Sequence, residues 1–171
     1  DFKTIFDKAI DTDIVLKVDE DNIKAHKLVL QSRSPVFRKM FDTDSREAAE
    51  NEVVVSDIGS ATMKRLVNFL YSAANETGNF EETLELYYAA DKYGVLSLRE
   101  VCKMELLSHL NTMNACSLFT FAKRHNDEDF MDKVVRFASA NSKSVFNMDS
   151  LNDMSKDDVV LLISLCVPNI K

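Results

Sequence analysis

Three histidines, His26, His109 and His125, and three cysteines, Cys102, Cys116 and Cys166, are the side chains of this 171-residue chain best suited to metal binding or nucleophilic attack. Their spacing argues against both. A helical metal pair needs two histidines about one turn apart, and these three stand at unrelated intervals. His109 and His125 fall within helical patterns and read as structural or solvated. Cys102 or Cys116 could act as a nucleophile only with a histidine brought beside it by folding. On apolar stripes such thiols pack a core. The glycines, Gly59, Gly78 and Gly94, are not clustered, so neither a phosphate loop nor a dinucleotide fingerprint can form. A strained G-x-S-x-G elbow is also missing from the sequence. Asp127-Glu128-Asp129 suits a helix N-terminus, where carboxylates complement the dipole, and lacks the ligand spacing and central glycine of a calcium loop. The chain reads as a non-enzyme with no cofactor and no metal.

The periodicities predict the elements that would position any site. Ile14, Leu16 and Val18 alternate with Val15 and Lys17, a half-buried strand. Asp19-Glu20-Asp21-Asn22 supplies turn residues, and Ile23 to Ala25 can return antiparallel. Leu28, Val29 and Leu30 start a helix that must stop before Pro35, because the residue preceding a proline is pushed out of the α region. Ser34 then caps a second short helix with Pro35 at its first position. Val36, Phe37, Met40 and Phe41 give that helix one apolar face.

Residues 1–11 carry Phe2, Ile5, Phe6 and Ile10 at roughly helical spacing and need a partner surface, since so short a helix is unstable alone. Residues 42–52 are a polar loop or short helical turn, and Val53-Val54-Val55 is a β-branched strand. Ser60 is expected to cap a helix striped with Met63, Leu66, Val67 and Leu70. A loop around Gly78 follows, and then a helix over 81–93 that ends at Gly94 in the left-handed conformation.

Beyond this point the pattern is helical throughout. Ser97 and Glu100 form a capping box before a helix reaching Leu110, with Leu98, Val101, Cys102 and Leu106 inward. Asn111 or Thr112 caps a helix carrying Met113, Cys116, Phe119 and Ala122. Asn126 or Asp127 starts one carrying Phe130, Val134, Val135 and Ala138. Ser155 and Asp158 form a second box ahead of the most apolar stretch, VVLLISL. Strand signals stop near residue 55, so the chain divides into a mixed unit over 1–108 and a helical unit over 109–171.

The motifs sharpen this reading. Thr12-Asp13, Ala25-His26-Lys27, Ser32-Arg33-Ser34-Pro35-Val36-Phe37, Met40-Phe41 and Ala89-Ala90-Asp91-Lys92-Tyr93 occur in that order. Together they resemble the signature of BTB/POZ domains, above all the speckle-type POZ and related MATH-BTB adaptors. The resemblance implies an α+β fold, a small sheet flanked by helices, followed by an all-α extension of the BACK type. It implies a homodimer that recruits a cullin-three scaffold as a ubiquitin-ligase substrate adaptor. The substrate would be read by a MATH domain upstream and missing from this chain.

On this sequence the implied cullin face comprises Phe41, the loop with Asp44, Ser45 and Glu47, Tyr93, and Leu118 in the helices after residue 111. The implied dimer interface comprises Phe2, Ile5, Phe6 and Leu28. Asp13 and Lys27 stand where the family forms a charged pocket. Their residue types equally allow an Asp capping a turn at a strand end and a Lys whose stem snorkels to solvent. One departure bears on partner choice. Cullin-binding members carry a hydrophobic-x-Glu motif in the loop after Met-Phe, and this chain reads Ser45-Arg46-Glu47 there. The acid is kept and the apolar anchor is replaced, a loss of about 1–2 kcal/mol at an interface. The alternative implied is a homodimerisation scaffold or corepressor-recruiting module without cullin binding.

Composition is consistent with an ordinary domain: hydrophobic residues make up 46% and charged residues 29%, enough for a core without staples. The net charge of −7 and the lack of a basic, aromatic-interleaved run argue against direct nucleic-acid binding. Widely spaced cysteines, odd in number, read as reduced thiols of an intracellular protein, nuclear or cytoplasmic. The sequence has neither a membrane-length apolar run nor a signal peptide at its start. It opens at Asp1 without a methionine, which predicts a piece of something longer. Asn75-Glu76-Thr77 matches a glycosylation pattern and is read as a loop.

Overall fold

The alternating strand around Leu16 becomes the centre of a three-stranded sheet. The computed structural model describes residues 2–42, 50–74, 78–146, 151–152 and 154–167. A short helix α1 (Phe2–Asp7) precedes β1 (Ile14–Val18) and β2 (Asp21–Ala25). These are joined by a two-residue turn in which Asp19 takes a left-handed φ of 53°. The turn is shorter than the acidic run suggests: Asp21 and Asn22 already pair with Val18 and Lys17. After α2 (Lys27–Arg33) and α3 (Pro35–Met40), β3 (Glu52–Val55) runs parallel to β1 on its other side, with Leu16 opposite Val53 and Val18 opposite Val55. The helices between supply the crossover that a parallel pairing requires. Ile14, Leu16, Val18, Ile23, Ala25, Val53 and Val55 point into the core.

Next come α4 (Ser60–Ser72), α5 (Phe80–Lys92) and α6 (Leu96–Ser108). α4 supplies the buried stripe Met63, Leu66, Val67 and Leu70. Gly59, not Ser60, is its cap residue. Ser60 is the first helical residue, and its N–H is satisfied from the hairpin turn by Asp19 Oδ2 at 3.0 Å while its hydroxyl donates to Asp21. A tertiary carboxylate has thus replaced the local cap. α5 opens with an Asn79–Glu82 capping box that the sequence reading missed, and Gly94 follows its end at φ +67°.

α6 starts at Leu96, so Ser97 lies inside the first turn and Glu100 binds Lys103 Nζ at 2.8 Å instead of forming the expected box. The helix ends at Ser108, short of Leu110. Val101, expected inward, is exposed because Leu98, Cys102 and Leu106 define the buried stripe.

The chain divides into two compact units, Asp1–Met104 and Glu105–Lys171. In the second, α7 (Ala115–Arg124) pairs with α8 (Glu128–Ala140), a one-turn α9 (Ser142–Val145) follows, and α10 (Lys156–Cys166) packs on α8. Asn111 Oδ1 accepts the N–H groups of Met113 and Asn114 ahead of α7. Met113 therefore lies in the turn before the helix, 87% exposed, and not on its inner face. Asp127 caps α8 through Phe130 N–H at 3.0 Å. Ser155 accepts from Asp158 N–H at 3.1 Å, but the Asp158 carboxylate bonds Lys123 on α7, so only half of the expected box is seen. Among the described residues no helix is long and apolar enough to cross a membrane.

Candidate partner-binding face

Two distant stretches, Ser32–Phe37 and Ala89–Tyr93, meet in the first unit, and their meeting explains the residue types at both. The Ser34 hydroxyl accepts from Phe37 N–H at 3.1 Å, the cap of α3, and donates to the Tyr93 carbonyl at 2.6 Å. Ser34 is buried, so both bonds are made away from water. Arg33 donates to the Phe69 and Leu70 carbonyls, both at 3.2 Å, in the last turn of α4, adding to the Ala73 N–H that Phe69 already accepts at 2.8 Å. Gly94 passes so close that an added Cβ would lie 2.7 Å from Pro35 Cγ. Its positive φ and this approach both call for glycine.

An aromatic ladder leads outward from this junction. The Tyr93 and Phe37 rings stack with centroids 4.5 Å apart, and Phe37 stacks on Phe41 at 5.8 Å. Tyr93 and Phe37 are buried, whereas Phe41, at the end of α3, is half-buried. Burial first, then the charges of Asp57 and Tyr88, push the Tyr93 hydroxyl up to about 12. Beside the ladder the Asp57 carboxylate accepts from Lys92 at 2.6 Å and from Tyr88 at 2.7 Å. The Lys92 bond first and the Tyr88 bond second hold that carboxyl below the usual carboxylate range.

The implied contact residues separate once placed. Phe41 is at the surface. Tyr93, 1% exposed, offers no side-chain contact and instead backs the ladder from within. Leu118, also 1% exposed, is a core residue of the second unit, because α7 turns that face inward. Asp44, Ser45 and Glu47 lie outside the described residues. On the implied dimer side, Leu28 is 69% exposed, and Ile5 and Phe6 are half-buried. The Phe2 side chain lies outside the description. In this single chain α1 lies along α4, where Phe6 stacks on Tyr71 at 4.6 Å and Lys3 donates to Asn68 at 3.3 Å.

Asp13 is exposed, and its carboxylate accepts the Lys27 backbone N–H at 2.7 Å, capping α2 from the strand end. The Lys27 ammonium reaches Asn51 Oδ1 at 2.5 Å and lies 5.9 Å from the Phe41 ring centre. Asn51 was missed from sequence, although a left-handed-tolerant residue before a β-branched run is a turn signal; its φ is 55°.

His26 is structural. Its backbone N–H donates to Tyr71 Oη at 2.8 Å, and its ring nitrogens meet Tyr71 Oη at 2.7 Å and the Ile10 carbonyl at 2.8 Å. The Nε2–H tautomer satisfies all three contacts, with the tyrosine hydroxyl donating to Nδ1. All three cysteines are buried, and none is in a disulfide. Burial first and Cys166 second push the Cys116 thiol up, the opposite of an activated nucleophile. Among the described residues no three His, Cys, Asp or Glu side chains gather to hold a metal.

The sequence model of the BTB/POZ domain family matches residues 2–110. BTB and MATH domain-containing protein 42 of Caenorhabditis elegans is 28% identical over 159 residues, covering 90% of this chain and 38% of its own length. BTB/POZ domain-containing protein At4g08455 of Arabidopsis thaliana is 33% identical over 145 residues, 82% of this chain and 57% of that protein. TD and POZ domain-containing protein 1 of Mus musculus is 28% identical over 138 residues, 80% and 38% respectively. The chain therefore spans between 38% and 57% of the length of these relatives. Among solved structures, the BTB domain of zebrafish PATZ1 aligns with a TM-score of 0.49 at 25% identity, over 58% of this chain and 77% of that one. With the family model covering well over half of it, this chain belongs to the BTB/POZ domain family.

Proposed function

We propose that this chain is the homodimeric, cullin-recruiting part of a ubiquitin-ligase substrate adaptor. As a BTB/POZ domain it is a protein-interaction module. The observation that carries the finer reading is the ladder from Tyr93 through Phe37, which ends in a half-exposed Phe41 stacked on a rigid base. Interface energy concentrates in a few pre-ordered aromatic anchors, and Phe41 is such an anchor. The exposed Leu28 supports the dimer side, because a large apolar side chain in water is stabilised by a second apolar surface. The chain supplies surfaces and no catalytic group, the ligase chemistry belonging to the partner complex. Residues 1–108 act as the dimerising, cullin-binding domain and 109–171 as the BACK-like extension. The substrate is held by a further domain, and the protein works inside the cell, in nucleus or cytoplasm.

Titration of the chain with the N-terminal domain of a cullin-three scaffold tests this. Binding below tens of micromolar is expected, with Ser45→Met tightening it by about tenfold, the worth of one restored anchor. The absence of binding for both proteins rejects cullin recruitment. It then favours the second reading, a dimerisation scaffold or corepressor-recruiting module, which the serine at position 45 already supports. Sedimentation of a monomer at micromolar concentration would reject the dimer.

A further inference from the structure

Lys27 touches both flanks of residues 43–49. Phe41 closes α3 before that segment, and Asn51 leads out of it into β3. The ammonium donates to Asn51 Oδ1 at 2.5 Å and stands 5.9 Å from the Phe41 ring centre. Both ends of this link are anchored. The Lys27 backbone is held by Asp13 Oδ1 at 2.7 Å, and the Asn51 carbonyl accepts Val15 N–H at 3.1 Å, fixing that residue to β1. Phe41 is fixed from behind by its stack on Phe37.

We propose that Lys27 is a positioning residue of the partner-binding face: it ties the exit of α3 to the entry of β3 and sets how the Phe41 ring is presented. This rests on the cullin-recruiting reading of that face. The physical basis is a charge-assisted hydrogen bond on one side and a cation over an aromatic ring on the other. A lysine stem is flexible, so the ammonium is a useful strut only when its backbone is pinned. The Asp13 carboxylate does that pinning. Asp13 and Lys27 therefore act in series toward Phe41 and do not form a pocket for a ligand.

The test is a set of cullin titrations with amide exchange measured on the same 171-residue proteins. Lys27→Met keeps the stem and loses the charge. It is expected to weaken cullin binding about five- to tenfold, through faster dissociation, a modest loss for a cation–π contact and a charged hydrogen bond. Lys27→Arg should restore affinity to within about twofold, since the cation and donor are kept, which a merely structural loss would not do. Asn51→Leu should weaken binding, and combining it with Lys27→Met should add little further loss. Without a partner, Lys27→Met should speed exchange of the Phe41 and Asp42 amides, which bond to the Phe37 and Lys39 carbonyls, and leave the Ala73 amide unchanged. Wild-type binding with unchanged affinity in Lys27→Met overturns the proposal. If wild type binds no cullin, the recruitment reading falls, and the positioning role is decided by exchange: faster Phe41 and Asp42 amides uphold it, and unchanged ones overturn it.

Discussion

The cores of the two units are built on different principles. Around α3 in the first unit, almost every side chain has a specific contact. Ser34 makes two buried hydrogen bonds, Phe37 lies between two rings, and Gly94 is pressed on Pro35. In the second unit, the buried faces of α7, α8 and α10 carry Cys116, Phe119, Ala122, Phe130, Val134, Ala138, Leu162 and Cys166, apolar groups set in helical stripes, with Phe130 edge-on to Phe121. The first core is defined by shape and hydrogen bonding, the second by periodicity and caps. The first should reject substitutions that the second tolerates, because a stripe asks only for apolar volume.

The comparison can be broken at several levels. The largest expected effect is Phe37→Ala, which removes the middle rung and should cost about 3–5 kcal/mol. Urea unfolding of the purified variant measures it, and a loss under about 2 kcal/mol would mean that the ladder packs no better than a stripe. Next is alkaline pH. The Tyr93 hydroxyl is pushed up to about 12, mainly by burial, so the fold favours its neutral form. The associated stability, about 2–3 kcal/mol, is fully present below the unfolded tyrosine value near pH 10 and is lost as pH rises through about 12. Denaturant midpoints between those pH values should fall, and Tyr93→Phe should flatten the slope.

Gly94→Ala combines a left-handed backbone with a clash at Pro35, so a loss of about 1–3 kcal/mol is expected. Pro35→Ala should recover part of it in a double-mutant cycle. In the second unit, Leu162→Met changes shape while keeping apolar volume and should cost less than about 1.5 kcal/mol. A larger thermal-melt penalty there would show that this core is as exacting as the first. The smallest effect is at Asp158. The Lys123 bond first and the Ser155 bond second hold its carboxyl below the usual carboxylate range. Its contribution is present above about pH 4 and disappears as pH falls through the depressed value. As a surface pair it should amount to less than about 1 kcal/mol. Asp158→Asn should reduce the acid sensitivity of the second unit by that much.

The same division governs what could be read in advance. β1, the proline break, the Ser34 cap, the Gly94 turn and the helical stripes were legible because each follows from neighbours along the chain. The predicted Ser60 cap and the Ser97–Glu100 box failed because Asp19 and Lys103 supplied competing partners, and the inward placement of Val101 and Met113 failed on helix phase and helix start. For the candidate face, Phe41 lies half-buried at the end of α3. Tyr93 and Leu118 are buried: a motif records that a residue matters and does not say whether it touches a partner or supports one that does.

By itself, the sequence determined the family, the α+β order of elements and the local punctuation, since hydrophobic period, proline and glycine act over a few residues. Tertiary structure alone decided that Ser32–Phe37 and Ala89–Gly94 form one junction, that Asp13 caps α2, and that Lys27 reaches both Asn51 and Phe41. Those outcomes depend on groups 14 to 59 residues apart meeting within a few ångströms, and no periodicity along a chain encodes such a distance.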